Sequence, residues 1–245
     1  MVLNEIRVAM AMKLTMAAYR AGDYEQGLKT TEGLKGETRV YCYMKGSMLW
    51  HLGRLAESEA SLREGLPLEK DSRSISLVCN TLASVLLDQQ RYAESIEFYE
   101  TAGRLWPDRG ANLRGVAEVW LRQGKELKLA LEKALQAADI DRQACSTTIG
   151  MNKEVLDERL GEDLAVLAWA VAANSGTAKE VESLLSQAYP LCGNRSKPVT
   201  GMLHYHIGRA YLALNVAEKS REHFHLAVDS DPNGPAARLA QAVTS

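Results

Sequence analysis

The sequence predicts an all-α chain, built as a file of antiparallel helical hairpins. Three observations predict it. Phe is scarce and β-branched runs are short, while Ala, Leu, Glu, Lys and Arg, the good helix formers, dominate. Apolar residues recur at helical spacing between short turns rich in Gly and Asn. One string of small residues repeats: Gly208, Ser220 and Ala227 are spaced like Gly46, Ser58 and Gly65, and like Ala83, Ser95 and Ala102.

The stretch Gly201 to Pro232 shows the unit most clearly. Ile207, Tyr211 and Leu214 share one face of a first helix. Asn215 accepts the left-handed backbone of a sharp turn. A second helix, Ala217 to Asp229, carries Phe224, Ala227 and Val228 on one stripe, and Pro232 blocks its continuation. Small side chains at facing positions let the two helices approach closely and fix their crossing. Through Gly208, Tyr211, Ser220, Phe224, Ala227 and Pro232 this pattern resembles the tetratricopeptide repeat, a two-helix unit of about 34 residues.

The other hairpins follow in order, within a single domain spanning 1–245. The first, 8–36, turns at Gly22-Asp23-Tyr24, with Thr15 and Gly27 at the positions of Gly208 and Ser220. Its second helix departs from the pattern at Thr31 and Leu34, as an end repeat with one wet side can. The second hairpin, 39–68, turns at Gly53, with Lys45 at a position that is apolar in the last hairpin. The third, 76–107, adds Pro107 to its small-residue string and supplies Leu82, Leu86 and Tyr99 as large core residues. The fourth, 110–140, has Ala117 and Trp120 in phase and turns at Gly124; Ala130, Ala134 and Ala137 face inward only if its second helix slips by one residue. From Asp141 to Gly161 the period breaks, and Ser146, Thr147, Thr148 and Gly150 predict an extended connection, with Asn152 able to cap a further helical segment. A fifth hairpin, 162–190, has a stripe of Leu164, Leu167, Ala168 and Val171, a helix end at Gly176, and Trp169 where a small residue is expected. A loop over 191–198 leads to the sixth hairpin, 201–232. Pro235 opens a capping helix over 234–244.

Composition narrows the function. A formal net charge of −2 argues against a chain built to hold nucleic acid. Cys42, Cys79, Cys145 and Cys192 are scattered, with no CxxC, which points to a reducing, cytoplasmic setting rather than a disulfide framework or zinc site. Glu5, Arg7 and Lys13 interrupt the apolar start, so it reads as an amphipathic helix rather than a signal peptide. No apolar run reaches the ~20 residues that span a bilayer. GxGxxG after a strand, GxxxxGK[ST], HExxH and GxSxG are all missing, and no residues assemble a nucleophile, base and oxyanion site. His204/His206 and His223/His225 are pairs two apart, pointing about 200° from each other on a helix, so neither pair alone makes a metal face. One histidine from each helix can still meet across the hairpin. Cys42 and Cys79 share a phase with His204 and are read as packing residues, and Glu57, Glu59, Glu94 and Glu97 as solvated surface. No cofactor, metal or catalytic residue is expected.

A lone hairpin cannot bury its apolar faces, but stacking neighbours can. The tetratricopeptide resemblance implies a right-handed superhelix whose first helices line a concave wall, where a peptide or helix of another protein binds. The phase of Gly208 projects onto that wall Met12, Met16, Tyr19 and Arg20; Tyr43, Ser47, Trp50 and His51; Asn80, Ser84, Leu87 and Asp88; Arg114, Glu118 and Arg122; and Tyr205 and Arg209. Met12, Met16, Tyr19, Tyr43, Ser47, Trp50, Asn80, Ser84, Arg114 and Arg209 are the expected groove contacts, because Met, Tyr, Trp and Arg give adaptable or energetic contacts. Some members of the family grip a C-terminal carboxylate with a Lys, Asn and Arg clamp. Here Met12, Tyr43 and Ser47 stand where its further amide or basic groups belong, so the clamp is not carried over. The expected role is a non-enzymatic adaptor or scaffold. The alternatives are the repeat region of a larger transferase or transcriptional regulator, and a self-assembling structural protein; self-association is compatible with either.

Overall fold

The computed structural model describes residues 2–148, 152–192 and 195–244, and among them the chain is helical throughout, with no strand. The helices are α1 (Val2–Arg20), α2 (Tyr24–Thr31), α3 (Thr38–His51), α4 (Leu55–Gly65), α5 (Ser72–Asp88), α6 (Tyr92–Leu105), α7 (Gly110–Gln123), α8 (Leu127–Thr147), α9 (Asn152–Ala173), α10 (Ala178–Cys192), α11 (Lys197–Ala213), α12 (Ala217–Ser230) and α13 (Pro235–Thr244). Consecutive pairs from α1/α2 to α11/α12 form antiparallel hairpins, stacked as a right-handed superhelix, and α13 packs on the last pair.

The repeated string of small residues has a concrete bond behind it. In three hairpins a serine on the second helix donates to a carbonyl on the first: Ser58 to Gly46 at 2.6 Å, Ser95 to Ala83 at 2.8 Å, Ser220 to Gly208 at 3.0 Å. A hydroxyl reaches a helical carbonyl only when the facing residue is small. A Cβ built at Gly46 would lie 2.7 Å from Leu62 Cγ, so the closeness that makes the bond also demands glycine there. Each hairpin turns through a left-handed residue: Gly22, Gly53, Gln90, Gly124, Ser175 and Asn215, with φ from 60° to 73°. In the fifth hairpin that residue is Ser175 rather than the adjacent Gly176.

The 141–161 stretch differs from its expected reading as an extended connection. α8 runs on to Thr147, and α9 begins at Asn152. Residues 149–151, Gly150 among them, lie outside the described residues, as do 193–194 of the 191–198 loop. Two causes of the added helix are visible. The hydroxyls of Ser146 and Thr147 bond back to the Gln143 carbonyl at 2.7 and 3.3 Å, so these side chains are satisfied within the helix. Asp141, fully buried, is ion-paired with Arg159 across the two helices, which ties the added turns together. Ala130, Ala134 and Ala137 are buried, so the shifted phase holds in α8.

α9 is the hub. Leu164 through Ala170 are all buried, because α7, α8, α10 and α11 surround it. Enclosed over 164–170, this half of the helix has no polar face to keep, which is why Trp169 fits where the repeat register calls for a small residue.

The superhelix curves until its ends meet. Tyr24 Oη donates to the Asp231 carboxylate, 2.8 Å from both oxygens. Arg238 of α13 donates to the carbonyls of His51, at 2.6 Å, and Trp50, at 2.9 Å. Arg20 lies 3.4 Å from both Glu154 and Glu158 on α9. These contacts make a seam between the first two hairpins and the last helices.

Candidate functional site

The inner helices project residues of the expected phase toward the superhelix axis. Met16 and Tyr19 from α1, Tyr43, Ser47 and Trp50 from α3, Asn80 and Ser84 from α5 and Arg114 from α7 line one cavity of about 440 Å³. Met44, Met48 and His51 add to its α3 wall, and Val155 and Glu162 of α9 stand opposite. The concave surface therefore holds a hollow walled by α1, α3, α5, α7 and α9 and partly open to solvent at Met16 and Val155.

Met12 and Arg209 lie apart from this group. Met12 is 39% exposed on α1, outside the cavity wall. Arg209 packs its guanidinium 4.2 Å from the Trp169 ring centroid and donates to Tyr205 Oη at 3.1 Å. It borders a second hollow of about 370 Å³, which Arg238 and Leu239 of α13 also line.

Between the two hollows a polar network lines a smaller cavity of about 100 Å³. Trp50 Nε1 donates to Asp88 at 2.8 Å, and Arg122 pairs with Asp88 at 2.8 Å and with Glu118 at 2.6 Å. Burial by itself would raise the Glu118 carboxyl, but Arg122 overrides it and holds the group well below the usual carboxylate range. His206 Nε2 is 3.6 Å from Glu118, too far for a hydrogen bond. Trp50 is thus partly a structural residue, anchored to Asp88 and packed against the core cluster that α4 and α5 share.

Arg114 is committed as well. It pairs with Glu162 at 2.7 Å and with Asp163 at 2.6 Å. Asp163 is fully buried. Desolvation raises its carboxyl above the normal range, against the pull of Arg114 and with a further push from Asp141. The two aspartates, Glu162, Arg114 and Arg159 form one largely buried charged cluster.

Tyr19, Tyr24 and Trp50 enclose His51, whose ring stacks on Tyr24 at 4.6 Å and meets Tyr19 edge-on at 5.0 Å. Burial, with Arg238 nearby, pushes its imidazole down to about 3. The histidine encounter across the last hairpin does occur: His204 Nδ1 is 3.0 Å from His223 Nδ1. No third ligand joins them, and among the described residues no group of three or more His, Cys, Asp or Glu is placed to hold a metal. Cys42 and Cys79 are buried. No described helix is long and apolar enough to cross a membrane.

The tetratricopeptide-repeat family model matches residues 40–71 and 77–105, the α3/α4 and α5/α6 hairpins. The chain resembles that family. A crystal structure of BtubC from P. vanneervenii aligns over 99% of this chain and 92% of that one, at 15% identity and a TM-score of 0.51, so the two share a fold along nearly their whole length. A putative kinesin light chain from Podosopora anserina with nearly identical repeats aligns at 18% identity, over 88% of this chain and 98% of that one, with a TM-score of 0.47. YrrB, described as a tetratricopeptide protein with an unusual peptide-binding site, aligns at 18% identity, over 87% and 96%, with a TM-score of 0.41. No curated protein matches the chain.

Several cavity residues escape a reading of the sequence by phase. Val155 and Glu162 belong to the stretch expected as a connection and the start of the next helix. Arg109 precedes α7 and has no place in the inner-wall register. The only sequence signal for it is its position in the turn that follows Pro107.

Proposed function

We propose that this protein is a non-enzymatic interaction module that takes a segment of another protein into the α1–α3–α5–α7 cavity. One observation carries the reading: the inner-wall residues of four successive first helices converge on a single hollow of about 440 Å³. That volume lies in the range of pockets that enclose a ligand. It suits two or three side chains of an extended segment better than the full face of a helix. Tyr19, Tyr43, Trp50 and Met16 offer aromatic and thioether surface; Ser47 adds a hydroxyl, and Asn80, whose Nδ2 donates to Asn112, keeps its amide oxygen for an incoming donor.

The reading is tested by panning a library of random twelve-residue peptides on the purified protein. Selected peptides should share a motif and photo-crosslink to α1, α3 or α5. Ser47→Phe, which fills the hollow from a half-buried position whose hydroxyl bonds no described residue, should abolish their binding while the thermal transition stays in place. Peptides that bind Ser47→Phe as well as wild type, or that crosslink only to outer helices, overturn it.

A further inference from the structure

We infer that the cavity contains an anion subsite at Arg109, which receives a carboxylate side chain of the bound segment. The inference rests on the reading that this cavity takes a protein segment. Arg109 stands just before α7, with its guanidinium 5.6 Å from the Trp106 ring centroid, while Arg73 lies 5.2 Å from the same ring. Its side chain lines the cavity together with Tyr43, Asn80 and Arg114.

The other interior arginines are held by partners: Arg209, though its Nε is unpaired too, lies over Trp169 and donates to Tyr205, Arg238 donates to two carbonyls, and three more have acids of their own. Arg114 holds Glu162 and Asp163; Arg159 holds Asp141; Arg122 holds Asp88 and Glu118. Arg109 makes no ion pair among the described residues, and its Nη1 is buried without a hydrogen-bond partner. A guanidinium is a planar fork of five donors, shaped for a carboxylate. A buried donor with no acceptor carries a desolvation cost that an arriving anion removes. Burial weakens its charged form, and the neighbouring charges of Arg159 and Arg114 push the same way, against Tyr43 and Asp141. The desolvated guanidinium therefore gains from a negative newcomer.

Arg109 also borders an outer hollow, where Glu100, Arg104 and Lys133 sit. The inner side is favoured because there Arg109 shares its hollow with the aromatic ring of Tyr43 and the amide of Asn80, groups that can hold the rest of a bound segment, whereas the outer hollow already sets Glu100 beside Arg104 and Lys133. The aromatic wall of Tyr19, Tyr43 and Trp50 then defines the occupant as an acidic residue followed by an aromatic or large aliphatic one.

The probes are acetyl-Glu-Trp-Leu-amide and its isostere acetyl-Gln-Trp-Leu-amide, titrated by ligand-observed NMR against wild type, Arg109→Met and Ser47→Phe. The glutamate probe should bind wild type about tenfold more tightly than the glutamine probe, and Arg109→Met should shrink the ratio to within about twofold. Added salt should weaken the glutamate probe selectively. Equal binding of both probes to wild type, with loss in Ser47→Phe, overturns the anion subsite and leaves the cavity reading standing. A glutamate preference that persists in Arg109→Met overturns the assignment to this residue. Failure of both probes to bind any form overturns the subsite, whereas the cavity reading itself falls only if the panned peptides also ignore Ser47→Phe.

Discussion

Two regions of the molecule join distant parts of the chain by opposite means. Around the second half of α9 the join is apolar: Leu164, Leu167, Ala168 and Trp169 are enclosed by alanines, leucines and valines of α7, α8, α10 and α11. At the seam it is polar: a tyrosine on an aspartate, an arginine on two carbonyls, and a half-exposed arginine near two glutamates. Apolar burial contributes in proportion to area and holds whatever the exact geometry. Polar joins depend on a few well-placed atoms, and they give way to a shift of an ångström or a change of protonation. The α9 region should therefore set the global stability, and the seam the closure of the ring.

The sharpest break in that comparison is Trp169→Ala. It removes a buried indole and the platform under Arg209, and should cost about 3–5 kcal/mol in urea-denaturation free energy. A loss no larger than that of a seam variant would erase the distinction between the regions.

Tyr24→Phe tests the other side. It strips the hydroxyl from buried Asp231, which should cost about 1–3 kcal/mol. It should also lengthen the distance between spin labels placed at exposed Lys29 and Glu222, whereas Trp169→Ala, in whatever fraction stays folded, should leave that distance alone. An unchanged distance in Tyr24→Phe would mean that the seam is held by something else.

Acid should weaken the molecule through the seam. His51 is held down to about 3 in the folded state, against an unfolded value of about 6.5. Between those values the unfolded chain takes a proton that the folded one refuses. Stability conferred by neutral His51 is whole above pH ~6.5 and is lost as pH falls, by up to ~1.4 kcal/mol per pH unit. Asp231 acts in the opposite sense, because burial raises its carboxyl. The difference between wild type and His51→Phe isolates the histidine: their denaturation free energies should diverge progressively below pH 6.5, with the phenylalanine chain less acid-sensitive. Parallel curves would remove His51 from the account.

The smallest expected effect is at Met12. Exposed on α1 and outside the cavity wall, Met12→Ala should change stability by under about 0.5 kcal/mol and leave peptide binding unaltered.

The hairpins were legible because their signals are local. A left-handed turn needs Gly, Asn or a tolerant residue within a few positions of the helix end, and the serine-to-carbonyl bond sets a fixed separation between Gly46 and Ser58, Ala83 and Ser95, Gly208 and Ser220. The phase of Gly208 likewise placed Tyr19, Tyr43, Trp50 and Arg114 on the inner wall, since a repeat carries its register from one copy to the next. Register gives direction but not company, so Met12, in phase with Met16, lies outside the cavity that Met16 lines.

What the sequence determined by itself was the unit, its order and the faces turned inward, because helical period and turn chemistry act over a dozen residues. The tertiary structure alone decided that the curve closes through Tyr24, Asp231 and Arg238, that 141–161 is mostly helix, and that Arg109 reaches the cavity wall with no acid paired to it among the described residues. These are contacts between residues far apart in the chain. Their existence depends on the angle accumulated over many stacked hairpins, a sum of small rotations that no local pattern encodes.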